Sequence, residues 1–383
     1  MTGTERFLGV FFVATQIAIG PLLLPYIVAE YGPSPLEISL FVSAFPACAF
    51  LMGLALSTTL RNLQPRHILI AGLTVSVAAN LIASVSDSLV LFILMRAVAG
   101  ACNPCVGVVT YTSASDADTV SAILKRTGLS HMASPTTGLT IIPAMLLIAA
   151  TFGGPVFFLG TGATGALLLF LVLRRRAAAE PRRPVAPPRA VAVKPSRTTL
   201  YNYASNGLIM LAASAFLGYF PLYVFDALAL KKPDMVLSFL VFAAAGLSVL
   251  ASASLSWIPP QIRIDQVLLA TVVALFGFYI VAAFGYGALI PSALVFLAIN
   301  ALMTANQAIL RSAAVNAVPE PERFAFHARW NAVYQAGSTI GLYLGGRILV
   351  FGEVFLSNII LAAVTTLGVA ILLITTRRKE TAC

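Results

Sequence analysis

The chain has 383 residues, of which 59% are hydrophobic and 10% charged, with a mean hydropathy of +0.93. A soluble domain carries about 25% charged residues, and disorder requires low hydrophobicity with high net charge, so both are excluded. At about 20 residues per membrane-crossing helix the length accommodates roughly twelve spans, and a net charge of +10 in such a chain marks cytoplasmic loops rather than nucleic-acid binding.

Apolar runs between charges and Gly/Pro breaks predict spans at 7–30, 36–59, 66–85, 88–113, 120–150 and 153–173, then at 200–228, 233–257, 264–285, 288–311, 324–350 and 353–376. The first span reads as a retained helix, because MTGTERFLGVFF runs into it with no small-residue cleavage site after a short apolar core. Between the two sets, residues 174–199 hold Pro181, Pro184, Pro187, Pro188 and Pro195 among eight basic residues, a composition that makes a solvated linker. The predicted fold class is therefore an all-α integral membrane protein. An N-terminal six-helix half at 1–173 and a C-terminal six-helix half at 200–383 surround a central cavity, joined by a cytoplasmic basic Pro-rich linker at 174–199. Cys48, Cys102, Cys105 and Cys383 imply no disulfide framework.

Basic residues set the orientation. With the N-terminus inside, nineteen of the 24 Lys and Arg lie in inside segments, Lys231 and Lys232 lie outside, and Arg96, Arg311 and Arg347 fall within spans. That asymmetry predicts a cytoplasmic linker and two cytoplasmic termini in a multi-pass protein of the cell membrane.

Spans three, six, nine and twelve are almost wholly apolar and are expected against lipid. Polar residues gather in spans one, four, five, seven, ten and eleven, where they require a bundle interior or a water-filled cavity. Gln16 sits in the middle of the first. In span four, Arg96, Gly100, Asn103, Gly107 and Tyr111 recur at spacings of 4, 3, 4 and 4 on one helical stripe, with Arg96 about 12 Å deep. Two readings of Arg96 are open: an anion-binding or coupling group in the cavity, or a structural arginine bonded to carbonyls and polar side chains of neighbouring helices. Cys102-Asn103-Pro104-Cys105 matches C-x-x-C, but with no second ligand pair it reads as small residues around a kink at Pro104, and no metal or cofactor is expected. In span five, His131 shares a stripe with Thr127, Ser134 and Gly138 and is either a proton carrier or a neutral histidine bonded between helices.

The second half repeats the pattern. Asn206 is a cavity candidate in span seven, and Asn300, Thr304, Gln307 and Arg311 form a stripe in span ten. Arg311, near the cytoplasmic mouth, is either a cavity group or a side chain snorkelling to the interface. Span eleven offers Tyr334 and Gln335 beside Trp330, Asn331, Ser338 and Thr339, which suits a substrate with a flat or apolar body and polar edges. Its Gly337, Gly341, Gly345 and Gly346 permit close helix approach. All 14 carboxylates fall at span ends or in loops, so the interior is expected to be positive and to favour an anionic or neutral organic solute over a cationic one.

Six plus six helices, a long basic linker and polar first, fourth, seventh and tenth helices resemble the major facilitator superfamily over the whole chain. Arg96-Ala-Val-Ala-Gly100 is similar to the family's Arg-x-x-x-Gly pattern in the fourth helix, and Ser134-Pro135-Thr136-Thr137-Gly138 to the Gly-Pro-x-x-Gly of its antiporters, with Ser134 in place of the first Gly. In the loop after span two, Ser57, Arg61 and Gln64 stand where the family has two Gly and an Asp, and only Arg66 is kept, so the Asp of the family's cytoplasmic charge latch is missing. The resemblance implies a secondary transporter working by alternating access, with export favoured; Pro104, Pro135 and Gly138 are expected at kink or gating positions, and a proton carried by His131 is the candidate for coupling, if transport is coupled at all. The expected partners are a small-molecule substrate and the lipid bilayer, and the chain is expected to be a monomer. The alternatives are an uptake transporter of the same fold, a non-transporting scaffold or sensor, and an integral membrane enzyme. The last finds no ligand spacing among Arg61, Arg66, His67, Asp116 and Asp118, and no P-loop.

Overall fold

Helix ends fall where the sequence supplies caps. Thr2 and Glu5 form a capping box at the start of α1 (Gly3–Tyr31), and Gly32, at φ 52°, closes it in the left-handed region. Ser34 and Glu37 repeat the box at α2 (Pro35–Ser57), with Pro35 in the first turn, where its missing N–H costs nothing. The same use of proline opens α3 (Pro65–Ser84). The computed structural model describes residues 1–115, 132–174, 197–226, 233–254, 264–285, 287–316, 318–348 and 354–380. The remaining helices are α4 (Leu89–Ser115), α5 (Met132–Phe152, with a turn at Thr140), α6 (Pro155–Arg174) and α7 (Arg197–Leu217, resumed over Phe220–Asp226). They are followed by α8 (Pro233–Ser254), α9 (Ile264–Phe284), α10 (Leu289–Asn316), α11 (Arg323–Ile348) and α12 (Val354–Glu380). No strand occurs among the described residues.

Most boundaries fall within a few residues of those read in the sequence, with α1 beginning at Gly3 rather than 7, and the ends of α10 and α12 and the start of α7 show where the reading stopped short. Helix α10 continues to Asn316, beyond the predicted end at 311, and α12 continues to Glu380, beyond 376. In both, alanines or long charged side chains follow the apolar run, and these are good helix formers whether or not lipid surrounds them. Helix α7 begins at Arg197, inside the predicted linker; residues 175–196 of that linker and the first part of span five lie outside the described residues.

Eleven of the helices are long and apolar enough to cross a membrane. Helix α11 falls short because it carries Arg323, His327, Arg329, Asn331, Gln335 and Arg347, and it packs along α7 of its own half and α2 of the other. Glycines at four-residue spacing let it approach α7: a Cβ on Gly337 would stand 2.0 Å from the Gly207 carbonyl oxygen, and one on Gly341 2.4 Å from that of Leu211. Helix α2 was not among the helices expected at the centre. Its residues are mostly apolar, yet Gly53 lies against Ala328 and Ala332 of α11, so small size rather than polarity brings it there. Helix α9, by contrast, is the most lipid-facing of the spans, as its uniform hydropathy requires, with 28% of its window buried against 72% for α7. Within the N-terminal half α4 holds α1, α2 and α3 together; a Cβ on Gly100 would lie 2.1 Å from the Phe45 carbonyl oxygen, so only glycine permits that crossing.

Candidate functional site

The two halves touch at both ends of the bundle. At the end that carries the chain termini, Ser115 at the close of α4 shares a 3.1 Å hydrogen bond between its Oγ and Nε2 of the buried His327 on α11. Arg323, at the start of α11, donates from Nη1 to the Ser115 carbonyl, and Arg6 of α1 donates to the Ser113 carbonyl at 3.1 Å. The last carbonyls of a helix have no intrahelical partner and carry partial negative charge, so they serve guanidinium groups as a carboxylate would. This arrangement supplies a closure at the very end where the family's latch aspartate is missing. At the opposite end Tyr26 of α1 donates its hydroxyl to Asp234 of α8 and sets its ring edge-on to Phe225, while Gly346 of α11 sits on Ser39 of α2. Midway, Gly138 of α5 faces Ala245 and Val241 of α8, where a Cβ would lie 2.7 Å from that of Ala245. Between these contacts Gln307, Arg311 and Gln335 are buried, while Tyr111, Asn331 and Tyr334 are partly exposed.

Most of the α4 stripe is used inside its own half. The Arg96 guanidinium donates from Nη1 to the Gln16 carbonyl at 2.8 Å, lies over the Phe45 ring at 4.5 Å, and presses on Gly20. Gln16 turns its amide to Ser76 of α3, and Asn103 donates to the Val13 carbonyl at 3.4 Å. These contacts tie α1, α2, α3 and α4 together. Pro104 is buried inside α4, and Pro135 lies in the first described turns of α5. His131 lies outside the described residues.

Only Tyr111, the last member of the stripe, crosses to the other half, where Arg311 of α10 stacks on its ring with the guanidinium carbon 3.7 Å from the centroid. Arg311 is 7% exposed, so it does not snorkel to the interface. Its Nε and one Nη have no hydrogen-bond partner, and among the described residues its electrostatic neighbours are Tyr111 and Tyr334. Further along the α10 stripe, Asn300 and Thr304 satisfy themselves on carbonyls of their own helix, whereas the buried Nε2 of Gln307 has no partner. On α11 the side-chain amide nitrogens of Asn331 and Gln335 are likewise unpartnered. Asn206 of α7 donates to the Trp330 carbonyl at 3.2 Å, and so joins α7 to α11.

The structure therefore brings Arg311, Gln307 and Tyr334 to the seam between the halves, and leaves Gln16, Arg96, Asn103 and Asn206 as links within a half. Sequence reasoning missed His327 and Ser115. His327 lies four residues before Asn331 on the same face of α11, a spacing that could have flagged it. It also missed the Tyr26–Asp234 pair, which joins residues 208 positions apart and has no local signal.

Two helix bundles meeting along a seam that carries buried polar groups have the architecture of a membrane transporter. The Major Facilitator Superfamily profile matches residues 6–323, and the chain belongs to that family. It is a multi-pass membrane transporter. No curated protein matches the sequence. Solved structures share the fold at low identity. A bacterial homologue of the iron transporter ferroportin, in an outward-facing state, is 12% identical with a TM-score of 0.70 over 97% of this chain and 98% of its own. The superfamily transporter FucP, in an outward conformation, is 12% identical with a TM-score of 0.70 over 97% of each chain. The human organic anion transporter MFSD10 (TETRAN) is 14% identical with a TM-score of 0.70 over 97% of this chain and 98% of that one.

Proposed function

We propose that the protein is a secondary active transporter that moves a small organic solute, anionic or neutral rather than cationic, by alternating access between its two halves. The observation that carries the solute class is the pair of buried arginines, Arg96 and Arg311, neither of which faces a carboxylate among the described residues. An organic cation entering such an interior would meet like charge in a medium that screens poorly, whereas an anion or a polar neutral molecule would supply acceptors to unpartnered N–H groups. Export is the favoured direction, on the antiporter-like segment Ser134–Gly138. A proton is the favoured coupling ion, with His131 as its carrier. The Lys/Arg distribution supports a cell membrane with both termini cytoplasmic. The protein acts as a monomer, its partners being the solute and the surrounding lipid.

Uptake into proteoliposomes tests this reading. Radiolabelled carboxylates and neutral polyols are expected to accumulate or exchange in preference to quaternary and primary amines, with a rate that responds to an imposed pH gradient. Saturable transport of amines alone would overturn the solute class, and the absence of a pH response in otherwise active vesicles would overturn the proton.

A further inference from the structure

Arginines buried in a membrane protein are costly unless paired, and the two interior arginines of this chain solve the problem differently. Arg96 spends one N–H on the Gln16 carbonyl and its face on Phe45, both within the N-terminal half. Arg311 spends its face, and hydrogen bonding as well, on Tyr111 alone among the described residues. Its guanidinium carbon sits 3.7 Å above the Tyr111 ring, while Nε and one terminal nitrogen, both inaccessible to water, have nothing to donate to. One turn away on the same α10 stripe, the Gln307 Nε2 is buried and unpartnered too. Tyr334 of α11 lies within electrostatic reach of Arg311, and Asn331, a turn before it on α11, adds another unpartnered amide nitrogen. The surplus is one-sided: each of these unpartnered atoms is an N–H donor, and Arg311 faces no carboxylate among the described residues. Burying a donor without an acceptor is costly, and more so when it is charged. A site built this way is completed by an acceptor brought from outside.

We infer that Arg311, with Gln307 and flanked by Tyr111 and Tyr334, is the binding site for the carboxylate of a small organic anion with a flat apolar body. The inference rests on the transporter reading above and goes beyond it by naming the group that holds the charge and the half of the molecule that carries it. The carboxylate takes the unpartnered N–H groups of Arg311 and Gln307, and the tyrosine rings cover the body. Arg311 lies about 8 Å from the end of α10, at 1.5 Å per residue from Asn316, which places the anion just inside the closure made by Ser115, His327 and Arg323. Because Tyr111 belongs to α4 and Arg311 to α10, the two separate when that closure opens. The bound anion is then left with the C-terminal half.

Benzoate, benzamide and benzylamine present one ring with a carboxylate, a neutral amide and an ammonium, and so isolate the charge. With wild-type protein in detergent, benzoate is expected to raise the unfolding temperature and to bind at least about tenfold more tightly than benzamide, and benzylamine to have no effect. Arg311→Gln is expected to lose about tenfold or more of the benzoate affinity, Arg311→Lys to keep part of it, and Gln307→Leu to weaken it less. The lysine variant preserves the buried charge and guards against loss of fold, which the unliganded melting curve reports for each. Benzoate affinity unchanged in both Arg311 variants would overturn the site while leaving the transporter reading intact. A change in uptake rate without a change in affinity would make Arg311 a gate residue and equally overturn it. Equal binding of the three probes, or of none, would also contradict a carboxylate site. Saturable uptake of benzylamine without uptake of benzoate would bring down the proposed solute class with it.

Discussion

Arg96 shows how a residue's depth and its role can separate. A stripe of Arg96, Gly100, Asn103, Gly107 and Tyr111 is what a cavity-lining face looks like in sequence, and the stripe is real, but three of its turns pack on α1 and α2. Sequence gives the angle of each residue round its helix; it does not say which neighbour stands at that angle. The Gln16 carbonyl and the Phe45 ring make Arg96 a fastening of three helices, so Arg96→Ala is expected to lower stability by about 1–3 kcal/mol, read as a fall in unfolding temperature in detergent. An unchanged melting curve would mean that these contacts contribute nothing. At Arg311 the sequence left two readings open, and burial separates them: a side chain 7% exposed has not reached the interface.

At the scale of helices, size matters as much as polarity. The role of α11 was legible, because its polar residues and its glycines at 337, 341 and 345 have no place in lipid. That of α2 was not, because it meets α11 with small residues, Gly53 and Ser39 among them, in a largely apolar run. Gly341→Leu is expected to wedge α7 from α11 and to prevent isolation of folded protein, since overpacking costs about 1–3 kcal/mol even where neighbours can yield and here backbone stands opposite. Gly368→Leu on α12, where a Cβ meets nothing within 4 Å, is expected to be tolerated; equal behaviour of the two in size-exclusion chromatography would contradict the packing. The helices also carry the gate at the end away from the termini. Tyr26→Phe removes the hydrogen bond to Asp234 and is expected to favour opening there by about 1 kcal/mol, or roughly fivefold in population. The buried Ser39→Cys, on a background free of native cysteines, should then react several-fold faster with a membrane-impermeant thiol reagent. No acceleration would show that the pair holds nothing shut.

For the whole molecule, composition alone gave lipid, and the charge census gave a topology that fused reporters can check: those placed after Arg189 and after Cys383 are expected in the cytoplasm, and one between Lys231 and Lys232 outside. The six-plus-six architecture was legible because each span is a local property of the chain. The contacts that make it a machine were not, since Ser115 with His327 and Tyr26 with Asp234 join the halves across some two hundred residues. In this structure the halves are in contact at both ends at once. If the halves rock about the seam between them, opening one end must keep the other shut. Spin labels on the cysteine-free protein in nanodiscs test this directly: one pair at Leu63 and Glu320 at the terminal end, another at Ser34 and Ala288 at the opposite end, all exposed positions. Electron–electron distance measurements are expected to show two populations for each pair, with the longer distance at one end rising as that at the other falls when Tyr26→Phe is introduced. A single unshifted distance at both ends, or lengthening at both together, would contradict alternating access.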